Sequence, residues 1–236
     1  MPEIVKFQLG ISNMYLIKDR GMILVDTGLE KTKEKYIDAF SKADIRIEDV
    51  KLIAITHGHT DHFSFAGELK KMTGAPVLCH RLAITALKTG KSPEYVPREE
   101  MGKEFLELIS TLDLTPYGPV DPDLTFENEF DLTPYGVSGK VIHTPGHSDC
   151  SSSVVLDSGE AFVGDMLIDS PFNGEMRLPY LASDESRLFQ SYRKLLGIAK
   201  VFYGGHGMPL SKKELLELIR KDKSPEALRM LDEYYS

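Results

Sequence analysis

The 236-residue chain has little cysteine, no long apolar run and fewer basic than acidic side chains. Its two cysteines, Cys79 and Cys150, are too few for a disulfide framework, so we expect a reducing, cytoplasmic location. No apolar run approaches the roughly 18 residues of a transmembrane helix, which predicts that the chain does not cross a membrane. Residues 1–6 show neither a basic segment nor a long apolar one, so we also expect no secretory signal.

The charge balance bears on the kind of partner. The chain has 28 Lys and Arg against 36 Asp and Glu, a formal net charge of −8 at pH 7. Because nucleic-acid binding depends on neutralising phosphates with basic side chains, this excess of acid argues against a nucleic-acid partner. We therefore expect a small-molecule substrate, with no nucleic acid and no membrane as partner, and a homodimer stays open.

Apolar periodicity predicts an alternation of strands and helices over most of the chain. Strands are predicted at residues 13–18, 22–25, 50–56, 76–79, 140–143, 152–156, 160–163 and 200–203. Helices are predicted at residues 30–42, 63–72, 187–198 and 211–220, and from residue 224 onward. Because such alternation builds mixed sheets covered by helices, we expect a single α/β domain over residues 1–236. Two further predicted helices, at 81–88 and 98–112, make residues 81–124 a helical insertion, which either packs on the core or covers the site as a lid.

Five of the seven histidines lie at three points of the sequence, each shortly after a predicted strand. Together with two aspartates they give seven candidate metal ligands: His57, His59, Asp61, His62, His147, Asp165 and His206. If the strands lie side by side, their ends form one rim on which these side chains meet. Five imidazoles and two carboxylates are enough ligands for two divalent cations. His80 and His143 fall outside this pattern and are predicted to be structural or surface residues.

The motifs, taken in chain order, resemble the metallo-β-lactamase superfamily over almost the whole chain. They are His-x-His-x-Asp-His at 57–62, Thr-Pro-Gly-His at 144–147, Gly-Asp at 164–165 and Gly-His at 205–206. The resemblance implies a four-layer αββα sandwich of two mixed sheets with the metals at one edge. It implies that the first metal is bound by His57, His59 and His147, the second by Asp61, His62 and His206, and that Asp165 bridges them. It also implies that Asp26 hydrogen-bonds near the metal loop and orients the ligands.

Details of the motifs favour one branch of that superfamily. True β-lactamases lack the bridging aspartate, whereas Asp165 and the Asp61-His62 pair are similar to glyoxalase-II, lactonase and RNase-Z sites. The extra histidine motifs of RNase Z are not found, and the 30 residues after His206 leave the glyoxalase-II C-terminal domain absent or reduced. We therefore expect a metal-dependent hydrolase that uses a metal-bridging hydroxide on a small ester, thioester or lactone. Asp61 or Asp165 is the expected proton acceptor.

Two alternative functions stay open. A mononuclear iron oxygenase resembling the persulfide dioxygenases would use only the subset His57, His59, His147 and Asp165. A non-catalytic metal sensor would bind the ions without turnover. The cofactors are expected to be two divalent ions, zinc first, with iron and manganese as alternatives because mixed imidazole and carboxylate ligands suit all three. Specificity is expected from residues 92–123 and 168–180, where Arg177 and Tyr180 are the candidate substrate contacts.

Overall fold

The structure, a computed structural model, describes all residues from Met1 to Ser236. Its strands are β1 (Glu3–Leu9), β2 (Ser12–Lys18), β3 (Met22–Val25), β4 (Val50–Ala54), β5 (Val77–His80), β6 (Leu124–Phe126), β7 (Glu129–Asp131), β8 (Gly139–His143), β9 (Ser152–Leu156), β10 (Glu160–Phe162), β11 (Ile168–Asp169), β12 (Met176–Arg177), β13 (Val201–Tyr203) and β14 (Leu210–Ser211). Its α-helices are α1 (Lys33–Lys42), α2 (Thr60–Phe63), α3 (Ala66–Thr73), α4 (Ile84–Thr89), α5 (Glu99–Ser110), α6 (Glu185–Ile198), α7 (Lys212–Lys221) and α8 (Pro225–Tyr235). None of these helices has the length and apolar character needed to span a bilayer.

Two six-stranded mixed sheets lie at the centre of the molecule. The first has the order β1-β2-β3-β4-β5-β6, antiparallel from β1 to β3 and parallel from β3 to β6. The second has the order β14-β13-β10-β9-β8-β7, in which only β10 and β13 are parallel neighbours. β11 and β12 form a separate two-stranded hairpin. The chain passes from the first sheet to the second between β6 and β7.

Side chains alternate along the strands between an inner layer shared by the two sheets and outer layers covered by helices. In β2, Tyr15 and Ile17 pack between the sheets, whereas Met14 and Leu16 pack on the outer face. This period of two is the expected consequence of strand geometry. Helices α1, α3 and α4 cover the first sheet, and α6, α7 and α8 cover the second. The arrangement is a four-layer αββα sandwich, which confirms the predicted fold.

Local signals in the sequence account for several element boundaries. β3 and β9 occupy the predicted residues, and the hairpin turns before β3 and before β10 are present. α7 begins at a capping box, in which Ser211 Oγ accepts from the Glu214 backbone N–H while the Glu214 carboxylate accepts from the Ser211 N–H. α8 begins after Ser224 with Pro225 in the first turn, where proline is tolerated.

Two elements differ from the sequence-based expectations, and the strands that carry the ligands are divided between the sheets. α1 begins only at Lys33, later than the predicted start at residue 30, and buries Tyr36 and Phe40, whereas Ile37 is 43% exposed. Residues 3–9 form β1, which was not predicted because an edge strand is only partly buried and its apolar pattern is weak. The strands before the ligands do not share one sheet, since β4 belongs to the first sheet and β8, β10 and β13 belong to the second. The rim is therefore formed where the two sheets meet.

The segment between β5 and β6 contains α4 and α5, as predicted for its two helices. β5 and β6 are adjacent parallel strands, so the segment is an extended crossover connection. α4 joins the core of the first sheet through Ala86 and Leu87. In α5, by contrast, Gly102 is the only buried residue. α5 therefore packs at the periphery of the sandwich.

Candidate metal centre

The structure brings all seven candidate ligands together at the edge of the sandwich. They form two groups, the first of His57, His59, His147 and Asp165, and the second of Asp61, His62 and His206. Within each group the ligand atoms all lie within 4.8 Å of one another. His80 and His143 belong to neither group and stack on each other with ring centroids 3.9 Å apart.

The segment after β4 delivers four of the ligands. His57 and His59 precede α2, and Asp61 and His62 lie in its single turn, so the chain changes from extended to helical backbone within the motif. The φ of Gly58 is not in the left-handed region, so its backbone conformation does not require glycine. The glycine is required by space instead, because a Cβ there would lie 2.9 Å from the Cβ of Ala86.

The second sheet delivers the remaining three ligands. Asp165 lies in a short 3₁₀ turn after β10, and His206 follows β13. Because β10 and β13 are parallel neighbours, their carboxyl ends meet at the same edge of the sheet. His147 reaches this edge from β8 through the Thr-Pro-Gly turn.

Three imidazole nitrogens converge in the first group. His57 Nε2 and His147 Nε2 each lie 3.0 Å from His59 Nδ1. Nitrogens bound to one tetrahedral zinc ion at about 2.0–2.1 Å are roughly 3.3 Å apart, so the observed spacing suits a shared cation. Asp165 Oδ2 lies 3.9 Å from His57 Nε2 and 3.8 Å from His147 Nε2.

The second group is built around two carboxylates. Asp61 Oδ2 lies 3.3 Å from both His62 Nε2 and His206 Nε2. Asp165 Oδ1 lies 3.0 Å from His62 Nε2 and 3.4 Å from His206 Nε2. The two oxygens of Asp165 are thus divided, Oδ2 facing the first group and Oδ1 facing the second.

The buried atoms of this site fit bound cations. His62 Nε2 and Asp165 Oδ1 are buried and make no hydrogen bond. Leaving a buried polar atom unsatisfied costs about 1–3 kcal/mol, and a cation between these two atoms would satisfy both. A Cβ at Gly205 would lie 2.2 Å from Asp165 Oδ1 and 2.6 Å from His62 Cε1. Glycine there keeps the carboxylate and the ring in reach of one another.

Asp26 orients two of the ligand histidines. Its Oδ2 accepts from His62 Nδ1–H at 2.8 Å and from the Thr56 hydroxyl at 2.8 Å, and its Oδ1 accepts from the Thr56 backbone N–H at 2.7 Å. The Thr56 oxygen in turn lies 3.0 Å from His57 Nδ1 and accepts from it. Asp26 has a φ of 58°, a left-handed conformation that costs a non-glycine residue about 1–2 kcal/mol and is most tolerable for Asn and Asp.

Backbone carbonyls orient two more ligands. His147 Nδ1–H donates to the Leu181 carbonyl at 3.0 Å, and His206 Nδ1–H donates to the Ile11 carbonyl at 2.8 Å. These bonds place the ring proton on Nδ1 and leave Nε2 as the ligand atom. Sequence reasoning missed both carbonyls, because a backbone acceptor has no side-chain signature. It also missed Thr56, whose hydroxyl beside His57 was an available signal.

The two groups differ in their electrostatics. Burial lowers the pKa of His57 well below its usual value, lowers that of His59 to about 3 and lowers that of His147. In the second group burial also opposes charge on the imidazoles, but Asp165 and Asp61 outweigh it. They raise the pKa of His62 well above its usual value and that of His206 to about 10. The second group therefore stabilises positive charge strongly.

The two candidate substrate contacts have different positions. Tyr180 is among the residues that line a cavity beside the metal centre, and its hydroxyl is hydrogen-bonded to Ser170 Oγ at 2.8 Å. The guanidinium of Arg177 lies 3.5 Å from the centroid of the Tyr180 ring, and Arg177 does not line the cavity. A substrate in this cavity would touch Tyr180 and not Arg177.

A four-layer αββα sandwich with histidines and aspartates clustered at its edge defines a class of metal-binding proteins. The chain belongs to the metallo-β-lactamase superfamily, whose family model matches residues 8–206. Family membership and the clustered ligands together support a metal-dependent hydrolase.

Several relatives and solved structures are similar to this chain. The chain is similar to the probable metallo-hydrolase YflN of Bacillus subtilis, with 25% identity over 225 residues, 86% of this chain and 83% of YflN. It is also similar to the probable metallo-hydrolase MJ0888 of Methanocaldococcus jannaschii, with 28% identity over 147 residues, 62% of this chain and 63% of that protein. Among solved structures, the B3 metallo-β-lactamase BLEG-1 has a TM-score of 0.70 at 22% identity, covering 91% of this chain and 97% of that one. The superfamily protein ST1585 of Sulfolobus tokodaii has a TM-score of 0.63 at 22% identity, with 99% and 96% coverage. At these identities the structural likeness concerns the fold.

Proposed function

We propose that this chain is a binuclear metal-dependent hydrolase of small esters, thioesters or lactones. The observation that carries the proposal is the division of the Asp165 carboxylate, with Oδ2 toward one ligand group and Oδ1 toward the other. A site for one ion would need only the first group. The second group adds two histidines and Asp61, a separate set of ligands for a second ion.

The residues of each group have distinct tasks. His57, His59 and His147 would hold one cation, Asp61, His62 and His206 the other, and Asp165 would lie between them. Two divalent cations bound there would supply Lewis acidity and lower the pKa of coordinated water toward about 7. Asp61 directs Oδ2 toward His62 and His206, which leaves Oδ1 outside these two contacts. We assign Asp61 Oδ1 as the acceptor of the proton released when water attacks the carbonyl.

Metal content and substrate class can be tested together. Purified protein is analysed for metals and assayed on a panel of thioesters, lactones, phosphodiesters and β-lactams, with oxygen uptake recorded in parallel. We expect two ions per chain, hydrolysis of an acyl substrate and no oxygen uptake. One iron per chain with oxygen consumption would replace the proposal with a mononuclear oxygenase, and two ions without turnover of any substrate would favour a sensor.

Asp165→Asn tests the shared carboxylate. The substitution keeps the shape of the side chain but removes its charge, so we expect fewer than two ions per chain. Because loss of even an outer partner of a metal ligand costs about 10- to 100-fold, kcat/KM should fall by more than about a hundredfold. Asp157→Asn, in the exposed turn before β10, is the matched control and should keep both ions. Full metal content and activity in Asp165→Asn would contradict the binuclear site.

A further inference from the structure

An apolar cavity of about 220 Å³ adjoins the metal centre. Part of its wall is made by His147, Asp165 and His206 of the centre itself. Most of the rest is hydrocarbon, contributed by Phe105, Leu108, Ile109, Leu112, Ile168 and Pro179. A molecule in the cavity therefore contacts the metal ligands and an apolar wall at the same time.

One face of α5 supplies much of this wall. Phe105, Leu108 and Ile109 are spaced i, i+3 and i+4, and Leu112 continues the stripe just after the helix ends. Such a stripe usually packs on a protein core, but none of these side chains is fully buried. Phe105 and Ile109 reach only a small cluster that includes Tyr180. A partly exposed apolar stripe beside polar, convergent groups is typical of a binding site.

α5 is held in place at its first turn. The Arg98 backbone N–H donates to the Tyr180 carbonyl at 2.8 Å, and a Cβ at Gly102 would lie 2.5 Å from that same carbonyl oxygen. The Arg98 guanidinium pairs with Asp222 at 2.9 Å and with Glu185 at 3.1 Å. These contacts fix the apolar stripe relative to the metal centre, so the cavity is formed before a ligand binds.

Apart from the histidines of the metal centre, the cavity has no basic side chain to offer a ligand. None of its 14 lining residues is Lys or Arg, and Asp169 adds a negative charge. Arg177, the predicted substrate contact, is stacked on Tyr180 outside the lining. Because phosphates and carboxylates are recognised by charge-assisted hydrogen bonds from such side chains, a polyanionic group would be bound poorly.

We infer that the substrate carries an uncharged, apolar acyl group of about four to eight carbons, seated against α5 with its carbonyl at the metal centre. At about 30 Å³ for a water-sized group, the cavity holds roughly seven such groups. This inference rests on the proposed hydrolytic function, and it adds the class of acyl group.

A chain-length series tests the acyl group directly. p-Nitrophenyl esters from acetyl to dodecanoyl are assayed with the metal-loaded protein. Each buried methylene should raise kcat/KM by about fourfold, up to about eight carbons, after which the gain should stop. Turnover that is independent of chain length, or faster turnover of bis(p-nitrophenyl) phosphate than of the hexanoyl ester, would overturn the inference.

Leu108→Trp fills the cavity from α5 and tests its location. We expect the ratio of kcat/KM for the hexanoyl ester to that for the acetyl ester to fall by more than about tenfold. Met101→Trp is the matched control, because Met101 is on the same helix, is 38% exposed and does not line the cavity. An unchanged ratio in Leu108→Trp would place the acyl group elsewhere and contradict the inference.

Binding without catalysis separates this inference from the proposed function. Calorimetric titration of the metal-loaded protein with acetate, butyrate, hexanoate and octanoate should show affinity that rises with length in the wild type and much less in Leu108→Trp. This pattern in a protein that hydrolyses no ester would support the cavity and remove the proposed function. Ester hydrolysis with neither kinetic nor binding dependence on length would keep the proposed function and remove the acyl inference.

Discussion

The two ligand groups use the same kinds of side chain but differ in charge. In the first, three buried imidazoles lie near one oxygen of Asp165, and burial lowers the pKa of all three. In the second, two imidazoles lie between Asp61 and Asp165, with Asp26 behind His62, and the carboxylates raise both pKa values. The number of carboxylates per imidazole, and not the residue type, decides whether burial or charge sets the direction of the pKa shift.

The groups also differ in access to solvent. The His57 and His147 side chains are 1% and 3% exposed, whereas His206 is 17% exposed. The histidines of the first group are thus almost closed to solvent. The second is a carboxylate-rich set with one side open to solvent.

Removing one histidine from each group gives the largest expected effects. His206→Ala should lose the second ion and keep the first, whereas His59→Ala should lose the first ion. Each should lower kcat/KM by more than about a hundredfold, because the groups act on one substrate. Metals per chain, measured by elemental analysis, distinguish the two outcomes.

The control for these variants is His143→Gln, which replaces a histidine outside both groups and should retain two ions. Two ions in His206→Ala would show that the second group is not a metal site, and the comparison between the groups would then have no basis.

Gly205→Ala should damage the second group selectively. The added Cβ would lie 2.2 Å from Asp165 Oδ1, so the carboxylate or the loop must shift by about 1 Å, a displacement that can cost roughly a hundredfold in rate. Gly197→Ala, where nothing lies within 4 Å, should leave activity unchanged and stabilise α6 slightly. Equal activity in the two variants would refute the close approach between position 205 and Asp165 Oδ1. Kinetics and metal content report the first effect, and thermal unfolding the second.

Asp26→Asn should weaken the second group by removing the charge behind His62. The amide tolerates the left-handed backbone at this position, so the change in charge is not accompanied by new strain. We expect a loss of about 10- to 100-fold in metal affinity or activity, with the second ion lost first. Titration with a competing chelator measures the affinity of each ion, and a uniform loss from both sites would argue against a link through His62 alone.

A smaller effect, on stability as a function of pH, is expected from His80. Burial acts on the pKa of this side chain without a carboxylate in contact with it. His80 is 2% exposed, donates from Nε2 to the Glu127 carbonyl and accepts at Nδ1 from the Leu82 N–H. Burial, followed by the nearby His143, lowers the pKa of His80 from 6.5 to about 4. Between about pH 4 and pH 6.5, His80 therefore binds fewer protons in the folded state than in the unfolded state. Its contribution to the unfolding free energy is therefore complete above about pH 6.5 and is lost as the pH falls toward 4.

His80→Gln removes this titration. Urea unfolding of the wild type and the variant between pH 7 and pH 4 should show a shallower decline for the variant. Parallel curves would mean that burial does not suppress charge on His80. The lowered pKa values of the histidines in the first ligand group, which are assigned to the same cause, would then need another explanation.

The metal ligands were predictable because their signal is local. Four of them lie within six residues after a strand, and the others stand next to glycines at strand ends, so motif and spacing carry the information without tertiary structure. Strands at sheet edges, such as β1 and β7, were not predicted because few of their side chains are buried.

The surroundings of the site depend on tertiary structure. The carbonyls of Ile11 and Leu181 hold two histidines through backbone atoms, which any residue could supply. The apolar stripe of α5 has the spacing of a helix that packs on a core, and only the fold shows that it faces the cavity. Arg177 was a candidate substrate contact because of its residue type, yet its guanidinium stacks on the ring of Tyr180.

Anomalous diffraction from crystals of the metal-loaded protein tests the central claim most directly. Two peaks about 3.5–4 Å apart are expected, one beside Asp165 Oδ2 among His57, His59 and His147, the other beside Asp165 Oδ1. A single peak, or a second peak away from the Asp165 carboxylate, in crystals supplied with excess metal would contradict the binuclear account.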